Sequence, residues 1–194
     1  MKVIVYEDEQ YIKVIRDYEE YAAKNIKQFL EFCDEIGISE FYPMRVIHCP
    51  QSHGISITSK NGWKLAYSGD CIPSKLLVES GKNATLLIHE ATFSSDQKDQ
   101  ARAKMHSTVA DAVSVAKRMD AKRLLLTHFS QRFNISEKTN NKGRNAIKLN
   151  EDYQVQKFLE GKAIWAVDHL KFRFSQLDNL PILAPVINYG VLDE

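Results

Sequence analysis

The sequence predicts an α/β protein, and three observations support this class. A hairpin signal, Asn61-Gly62, joins two short strand-like runs, Ile55–Thr58 and Trp63–Tyr67. Further along, the apolar run Ala84–Ile88 has the composition of a strand that is buried on both faces, and Arg123–Thr127 is the next apolar strand. An amphipathic helix, Val109–Met119, separates these two strands. Such alternation of strands and helices is typical of a layered α/β domain.

Length and composition limit the classes of protein that need to be considered. The 194 residues are enough for one domain with its own core, and 44% apolar with 26% charged residues is ordinary for a globular protein. The net charge of +1 provides no overall basic field, so a nucleic-acid interface would need a local patch. Three scattered cysteines favour a reducing, intracellular compartment. Since no apolar run reaches the length of about 18 residues needed to cross a bilayer, we expect no membrane partner.

The first part of the chain predicts a helical lead-in segment over residues 1–43. Val3–Tyr6 has the composition of a short strand. Apolar residues then recur at intervals of three and four over residues 11–36, which predicts an amphipathic helix that ends at Gly37. A strand is expected at Arg45–Cys49.

The second part of the chain adds shorter elements to the α/β alternation. Ser74–Glu79 predicts a helix that ends at Gly81, and Ser107 or Thr108 is suited to cap the helix at 109–119. Residues 94–105 are polar enough to be a loop or an exposed helical arm, and residues 134–150 indicate a mobile surface insertion or an extended loop. The remaining predicted elements are a helix at Glu151–Leu159 and strands at Ala163–Val167 and Leu170–Phe174.

Several strands end at residues that can bind a metal or carry a proton. These residues are Asp70, His89-Glu90, His128 and, near the end of an earlier strand, His48. The carboxyl ends of neighbouring strands in an α/β fold face one crevice, and His and Asp are suitable zinc ligands. Each residue also has a simpler explanation, since an Asp often caps a turn and a His often makes a structural hydrogen bond. A metal site and separate structural roles therefore both remain open.

A family resemblance adds to this reading of the residues. The stretches that carry it are Tyr-Ser-Gly-Asp-Cys (67–71), Leu-Leu-Ile-His-Glu-Ala-Thr-Phe (86–93), Met-His-Ser-Thr (105–108), Leu-Thr-His-Phe-Ser-Gln-Arg-Phe (126–133) and Ala-Val-Asp-His-Leu-Lys-Phe (166–172). Over about residues 44–185 the chain resembles the C-terminal half of long-form ribonuclease Z, the tRNA 3′-processing endonuclease of the metallo-β-lactamase superfamily. The combination of the His-Glu-Ala-Thr and His-Ser-Thr loops is characteristic of this family.

The resemblance implies a role for each matching residue of the metal site. His48 would ligate one zinc ion, Asp70 would bridge two zinc ions, and His128 would ligate the second. Glu90 and His106 would form a catalytic pair that orients an aspartate and helps to protonate the leaving 3′-oxygen. A His held by a carboxylate is a suitable proton donor for this step.

The resemblance also implies residues that bind the substrate. His89, Ser107 and Thr108 would shape the loops around the RNA 3′ end, and Arg132 would lie near the RNA backbone. The implied function is a zinc-dependent endoribonuclease that removes 3′ trailers from precursor tRNA, with two Zn²⁺ ions per complete active site. Family members of the long form work in the nucleus and the mitochondrion, which are the expected locations.

The family's main metal motif, His-x-His-x-Asp-His, does not occur in the 194 residues. We therefore expect a partial αββα sandwich that lacks its N-terminal β-layer, with one apolar sheet face left uncovered. Residues 44–185 would be the C-terminal part of the nuclease domain and residues 186–194 a tail. The missing N-terminal half of the same polypeptide would be a partner, and the isolated chain would be inactive.

Two alternative functions remain at this stage. The chain could be a non-catalytic truncated product, or a regulatory or interaction module that keeps the fold without holding two zinc ions. It could also be another metallo-hydrolase of the same superfamily, although the His-Glu-Ala-Thr and His-Ser-Thr loops argue against this. The sequence carries no signal for or against a homodimer.

Overall fold

The computed structural model describes residues 15–129, 137–139, 145–147, 153–166 and 169–179. In this part of the chain the α-helices are α1 (Ile15–Glu35), α2 (Lys75–Ser80), α3 (Lys98–Ala103), α4 (Val109–Met119) and α5 (Tyr153–Lys162). The strands are β1 (Ile38–Arg45), β2 (His53–Ser59), β3 (Lys64–Tyr67), β4 (Leu86–Glu90), β5 (Arg123–Thr127), β6 (Glu137–Thr139), β7 (Asn145–Ile147) and β8 (Ala163–Trp165). The predicted α/β class is confirmed.

The described strands form one mixed sheet and one small two-stranded sheet. The large sheet has the order β1-β2-β3-β4-β5-β8, and β6 pairs with β7. Strands β1 to β3 are antiparallel, whereas β3, β4, β5 and β8 run parallel. Since Tyr67 pairs with Ile88 and Glu90 pairs with Thr127, the carboxyl ends of β3, β4 and β5 lie side by side. This edge of the sheet is where ligands bind in α/β folds.

The predicted hairpin is present between β2 and β3. The Ser59 amide donates to the Trp63 carbonyl (2.9 Å), which closes a three-residue loop over residues 60–62. Gly62 has a φ of 84°, whereas Asn61 is not among the described residues with positive φ. The turn therefore needs the conformational freedom of glycine at one position, as in three-residue hairpin loops that end in a left-handed residue.

The main core lies between the sheet and the helices. Helix α4 contributes Val113, Ala116 and Met119 to it, and β5 contributes Leu124 and Leu126, all of them buried. The helix begins at the predicted residue because Thr108 and Asp111 form a capping box, in which the Thr108 side chain accepts from the Asp111 amide. The predicted bounds of this helix and of β5 are both confirmed.

The opposite face of the sheet carries a second, smaller cluster. Its buried members are Leu86, Leu125, Ile164 and Leu177. The segment around Phe174 packs over this cluster, and the Phe174 ring stacks on Trp63 with 4.5 Å between ring centroids. The expectation of an uncovered apolar face is therefore wrong at the centre of this face, because the chain after β8 covers it.

Two predicted strands differ from the structure. The strand expected at Arg45–Cys49 is wrong, because β1 ends at Arg45 and the chain turns back into β2, with the Val46 amide donating to the Ser52 carbonyl (3.1 Å). The strand expected at Leu170–Phe174 is also wrong, because this segment crosses the sheet face and enters a short 3₁₀ helix, Phe174–Gln176.

The remaining predictions have mixed outcomes. Helix α2 has the expected bounds to within one residue, with Ser74 as its N-cap and Gly81 as its C-cap. Helix α5 is shifted to Tyr153–Lys162, and residues 134–150 contain the β6–β7 pair. The predicted strand at Val3–Tyr6 and the tail at 186–194 lie outside the described residues. None of the helices described in the structure has the length and apolarity needed to cross a membrane.

The predicted division of the chain at residue 43 remains a prediction. Strand β1 runs across this point and pairs with β2 along its length, from Ile38↔Ser59 to Arg45↔His53. The segment before residue 44 thus contributes a strand to the sheet as well as helix α1.

Gly54 in β2 allows the backbone at the end of β3, at Tyr67 and Ser68, to approach closely. A Cβ atom at Gly54 would lie 2.8 Å from the Tyr67 carbonyl oxygen, whereas Gly161 in α5 has nothing within 4 Å of its Cβ position. We predict that Gly54→Ala lowers the free energy of unfolding by about 1–3 kcal/mol because backbone must move. The matched Gly161→Ala should leave stability unchanged or raise it by up to about 1 kcal/mol. Urea unfolding measures both, and equal effects would contradict the close approach.

Candidate metal centre

Five candidate residues converge at the carboxyl-terminal edge of the sheet. Asp70 follows β3, Glu90 ends β4 and His128 follows β5. His106 comes from the loop between α3 and α4, and His48 from the loop between β1 and β2. The parallel pairing of β3, β4 and β5 brings the first three together, and the two loops add His48 and His106, whose ring centroids lie 4.6 Å apart.

Asp70, His106 and His128 form a group that can hold a metal ion. Each offers one ligand atom, and these atoms all lie within 4.8 Å of one another. The His128 Nε2 atom is 3.6 Å from the Asp70 Oδ2 atom. Two imidazoles and a carboxylate are a donor set that suits zinc, and the partial exposure of Asp70 and His128 leaves the site open to solvent. The residues present therefore fit a zinc ion.

The backbone at His128 has an unusual conformation. Its φ of 60° lies in the left-handed region, which residues other than glycine seldom adopt. Such backbone strain occurs often at functional sites, where the surrounding structure holds it in place. His128 adopts this conformation directly after β5, where its ring lies close to Asp70.

The buried carboxylate of Glu90 is the centre of the hydrogen-bond network. Its side chain is 1% exposed. The Oε1 atom accepts from the Cys71 amide (2.6 Å) and from His106 Nδ1 (2.9 Å). The Oε2 atom accepts from the Thr92 hydroxyl (2.6 Å) and from the Ser107 amide (3.1 Å). These bonds compensate the loss of hydration of a buried charge, and they connect the loops that carry Asp70 and His106.

His106 is held by Glu90, and its ring contacts those of two other histidines. A carboxylate oxygen only accepts, so His106 donates from Nδ1. Nε2 is then the ring nitrogen that this hydrogen bond does not use. The His106 ring stacks on His128 with 5.4 Å between centroids and lies 4.6 Å from the His48 ring. The predicted Glu90–His106 pair is thus in contact, while its catalytic role stays a prediction.

His48 lies beside the metal-binding group without belonging to it. Its Nδ1 atom donates to the Met105 carbonyl at 3.0 Å, which leaves Nε2 as the ring nitrogen available to a metal. In the described part of the chain, the group whose ligand atoms lie close together consists of Asp70, His106 and His128. His48 is not a member of this group. The structure therefore offers His106 as an alternative ligand, and the predicted ligand set of His48, Asp70 and His128 stays a prediction.

His89 points away from solvent. It is fully buried, and its Nδ1 donates to the Glu90 carbonyl at 2.7 Å. Burial lowers the pKa of His89, so its imidazole is neutral at physiological pH. Its Nε2 atom has no hydrogen-bond partner among the described residues. His89 is therefore placed to shape the strand end and offers no exposed atom to a substrate.

Ser107 and Thr108 are also buried. The Ser107 hydroxyl donates to the Cys71 carbonyl at 2.6 Å, and Thr108 caps α4. Both residues fix the loop that carries His106, which fits the predicted role in shaping the site. Arg132, which was predicted to lie near the RNA backbone, falls outside the described residues.

Sequence reasoning did not single out Thr92, which occupies a central position in the site. Its hydroxyl lies 2.6 Å from Glu90 Oε2, 2.8 Å from His128 Nδ1 and 3.4 Å from His106 Nδ1. The only signal in the sequence is its position two residues after Glu90, in the stretch at 86–93. That position alone does not reveal a contact with His128, which is 36 residues away.

Comparison with known proteins identifies the class to which this fold and site belong. Residues 40–129 match a β-lactamase superfamily domain. The mixed sheet with its candidate metal centre agrees with this match, and the fold is that of part of a metallo-β-lactamase domain.

Within this superfamily, the chain is similar to ribonuclease Z proteins. It is 36% identical over 168 residues to human zinc phosphodiesterase ELAC protein 2, with 82% of this chain and 17% of the human protein covered. It is 41% identical over 120 residues to mitochondrial tRNase Z TRZ3 of Arabidopsis thaliana, and this match covers 57% of this chain and 13% of the plant protein. The crystal structure of a long-form RNase Z from yeast superimposes with a TM-score of 0.62 at 28% identity. The superposition covers 84% of this chain and 21% of the yeast chain. The chain thus spans less than a fifth of the length of these two curated relatives.

Burial of Cys71 under the Glu90 network provides a test of the site geometry. Burial, with smaller contributions from the Glu90 and Asp70 charges, raises the pKa of the Cys71 thiol to about 12. We predict that Cys71 and the buried Cys33 react slowly with a thiol reagent at neutral pH, whereas the exposed Cys49 reacts rapidly. Labelling followed by peptide mass spectrometry measures each site. The Cys49→Ser variant should lose the rapid phase, and rapid labelling of Cys71 in the folded chain would contradict the buried network.

Proposed function

We propose that this chain is the C-terminal portion of the nuclease half of a long-form ribonuclease Z. In the complete enzyme it would take part in the removal of 3′ trailers from precursor tRNA. The observation that carries the proposal is the convergence of Asp70, His106 and His128 beside the buried Glu90 carboxylate. The similarity to proteins named tRNase Z and ribonuclease Z supports the choice of this reaction over others of the superfamily.

The proposed metal ligands in this chain are His48, Asp70 and His128. In the complete site Asp70 would bridge two zinc ions, while His48 and His128 would each bind one. When bound, zinc would supply a hydroxide near neutral pH and offset the charge of the phosphodiester. The part of the site that this chain contributes is a carboxylate and imidazoles fixed by hydrogen bonds, for example His48 to the Met105 carbonyl.

Glu90 and His106 would handle the proton of the leaving group. Because His106 directs its Nδ1 at Glu90, the proton for the leaving 3′-oxygen would come from Nε2. The acid in this step would be the imidazolium form of His106, whose Nδ1–H remains hydrogen-bonded to Glu90. The His106 side chain is 14% exposed, so a substrate at the sheet edge could reach the ring.

The proposed site is completed by residues that act on the RNA and by a second segment of protein. His89, Ser107 and Thr108 would hold the loops around the 3′ end, and Arg132 would contact the RNA backbone. The 194 residues contain no His-x-His-x-Asp-His string, so we propose that this chain alone does not cleave RNA. The protein would work inside the cell, in the nucleus, the mitochondrion or both; one relative is named as mitochondrial.

A chimera tests the proposed function directly. The segment of human zinc phosphodiesterase ELAC protein 2 that aligns with this chain would be replaced by the corresponding residues of this chain. We expect the chimera to bind zinc and to release the 3′ trailer of a precursor tRNA. A chimera that folds and binds zinc but leaves precursor tRNA intact would refute the assignment. Cleavage of precursor tRNA by the 194-residue chain alone would refute the proposed need for a second segment.

Two variants of the chimera separate a metal ligand from a proton donor. Asp70→Ala should abolish cleavage and reduce the zinc content, since a bridging carboxylate is removed. His106→Ala should slow cleavage by about 10²-fold or more while the zinc content is unchanged, as expected for loss of a general acid. Zinc is measured by elemental mass spectrometry and cleavage by gel electrophoresis. Loss of zinc from His106→Ala would instead identify His106 as a ligand, in agreement with its position in the group of three.

A further inference from the structure

The Thr92 hydroxyl connects the buried Glu90 carboxylate to His128. Thr92 is 9% exposed and lies at the start of the loop after β4. Its Oγ1 atom is 2.6 Å from Glu90 Oε2 and 2.8 Å from His128 Nδ1, both within hydrogen-bond distance. The contact of Oγ1 with His106 Nδ1 is longer, at 3.4 Å.

The directions of these two hydrogen bonds depend on one another. A threonine hydroxyl has a single proton to donate and two lone pairs to accept with. Glu90 also accepts three backbone N–H groups, from Cys71, Thr92 and Ser107, and its carboxylate oxygens act as acceptors throughout this network. The Thr92 hydroxyl therefore donates its hydrogen bond to Glu90 Oε2, and Oγ1 must accept the hydrogen bond from His128 Nδ1.

This arrangement fixes which nitrogen of His128 is free. A neutral imidazole carries one ring proton, so a proton on Nδ1 leaves the lone pair on Nε2. Nε2 is the atom that lies 3.6 Å from Asp70 Oδ2. We propose that Thr92 is a positioning residue that selects the Nδ1–H tautomer of His128 and thereby presents Nε2 to the metal. The inference rests on the metal-binding role of His128 in the proposed function.

The Glu90 carboxylate then selects the Nδ1–H tautomer of two imidazoles, those of His106 and His128. His106 donates its Nδ1–H to Glu90 directly, whereas His128 donates its Nδ1–H to the Thr92 hydroxyl, which in turn donates to Glu90. His128 depends more on this contact, because its side chain is 48% exposed, whereas that of His106 is 14% exposed. Without the hydroxyl, the His128 ring would lose the acceptor that selects its tautomer.

The tautomer can be measured on the zinc-free 194-residue chain. Long-range ¹H–¹⁵N correlation spectra distinguish a protonated from an unprotonated ring nitrogen, and the His128→Gln variant assigns the signal. The spectra are recorded at about pH 8, above the ordinary imidazole pKa of about 6.5. We expect Nδ1 of His128 to be protonated and Nε2 to be unprotonated. A proton on Nε2 in the unaltered chain would overturn the proposal.

Three variants test whether the Thr92 hydroxyl makes the selection. Thr92→Val keeps the shape of the side chain without the hydroxyl and should populate the Nε2–H tautomer of His128. Thr92→Ser retains the hydroxyl and should restore the Nδ1–H form. Thr58→Val is the matched control, because the Thr58 hydroxyl also donates to a glutamate, Glu40 (2.8 Å). Thr58 lies beside the β2–β3 turn, at the end of the hairpin away from the metal site. An unchanged tautomer in folded Thr92→Val would overturn the proposal even if zinc binding changed.

Zinc affinity provides the second measurement. Loss of a hydrogen bond to a ligating His weakens metal binding, so Thr92→Val should raise the dissociation constant for zinc about tenfold or more. Thr92→Ser and Thr58→Val should stay within about threefold of the unaltered chain, because both keep the His128 hydrogen bond. Equal affinities for Thr92→Val and Thr58→Val would overturn the proposal. These readouts use no RNA, so a chimera that fails to cleave precursor tRNA would refute the proposed function and leave the tautomer result standing.

Discussion

The candidate site depends on the hydrogen bonds of one buried carboxylate. Glu90 accepts from Cys71, His106, Thr92 and Ser107, which belong to three different connections in the chain. A charge with 1% exposure is tolerated only where hydrogen bonds replace water, so the loops must adopt this arrangement for the carboxylate to be stable. The same bonds that satisfy Glu90 place the Asp70 loop and the His106 loop beside each other.

The strand pairing of the sheet explains why this network forms at the carboxyl-terminal edge. Parallel pairing of β3, β4 and β5 ends the three strands at one level, where Glu90 is the last residue of β4 and Asp70 and His128 lie in the chain after β3 and β5. Gly54 and Gly69 let the connection after β3 pack against β2, since a side chain at either position would collide with backbone. The hydrophobic layers hold the strands, and the polar edge remains for chemistry.

Sequence patterns predicted the elements whose signals are local. Helix α4 and strand β5 have the expected bounds because a capping threonine, helical periodicity and a continuous apolar run each act over a few residues. Strand β1 was missed because Glu40 and Pro43 interrupt its pattern. Proline is accepted at the edge of a sheet, and β1 is the edge strand of the described sheet. The segment after β8 was predicted as a strand because alternating apolar residues suit both strand pairing and packing across a sheet face.

The candidate site residues could be named from the sequence, whereas their hydrogen bonds could not. The position of a residue at a strand end is a local property, but the contact of Thr92 with His128 depends on two loops that are 36 residues apart. The same limit applies to His106, whose place in the group with Asp70 depends on the loop between α3 and α4. The role of Glu90 as the common acceptor emerges only when these loops are placed together.

The central claim is that Glu90 organises the metal site without touching the metal. Zinc titration of Glu90→Gln against a competing chelator, with Glu79→Gln as the exposed control, tests this claim most directly. A glutamine amide cannot accept all the bonds that Glu90 accepts, so the dissociation constant for zinc should rise about tenfold or more in Glu90→Gln and stay unchanged in the control. A Glu90→Gln variant that keeps its native circular dichroism and binds zinc as tightly as the unaltered chain would contradict the account.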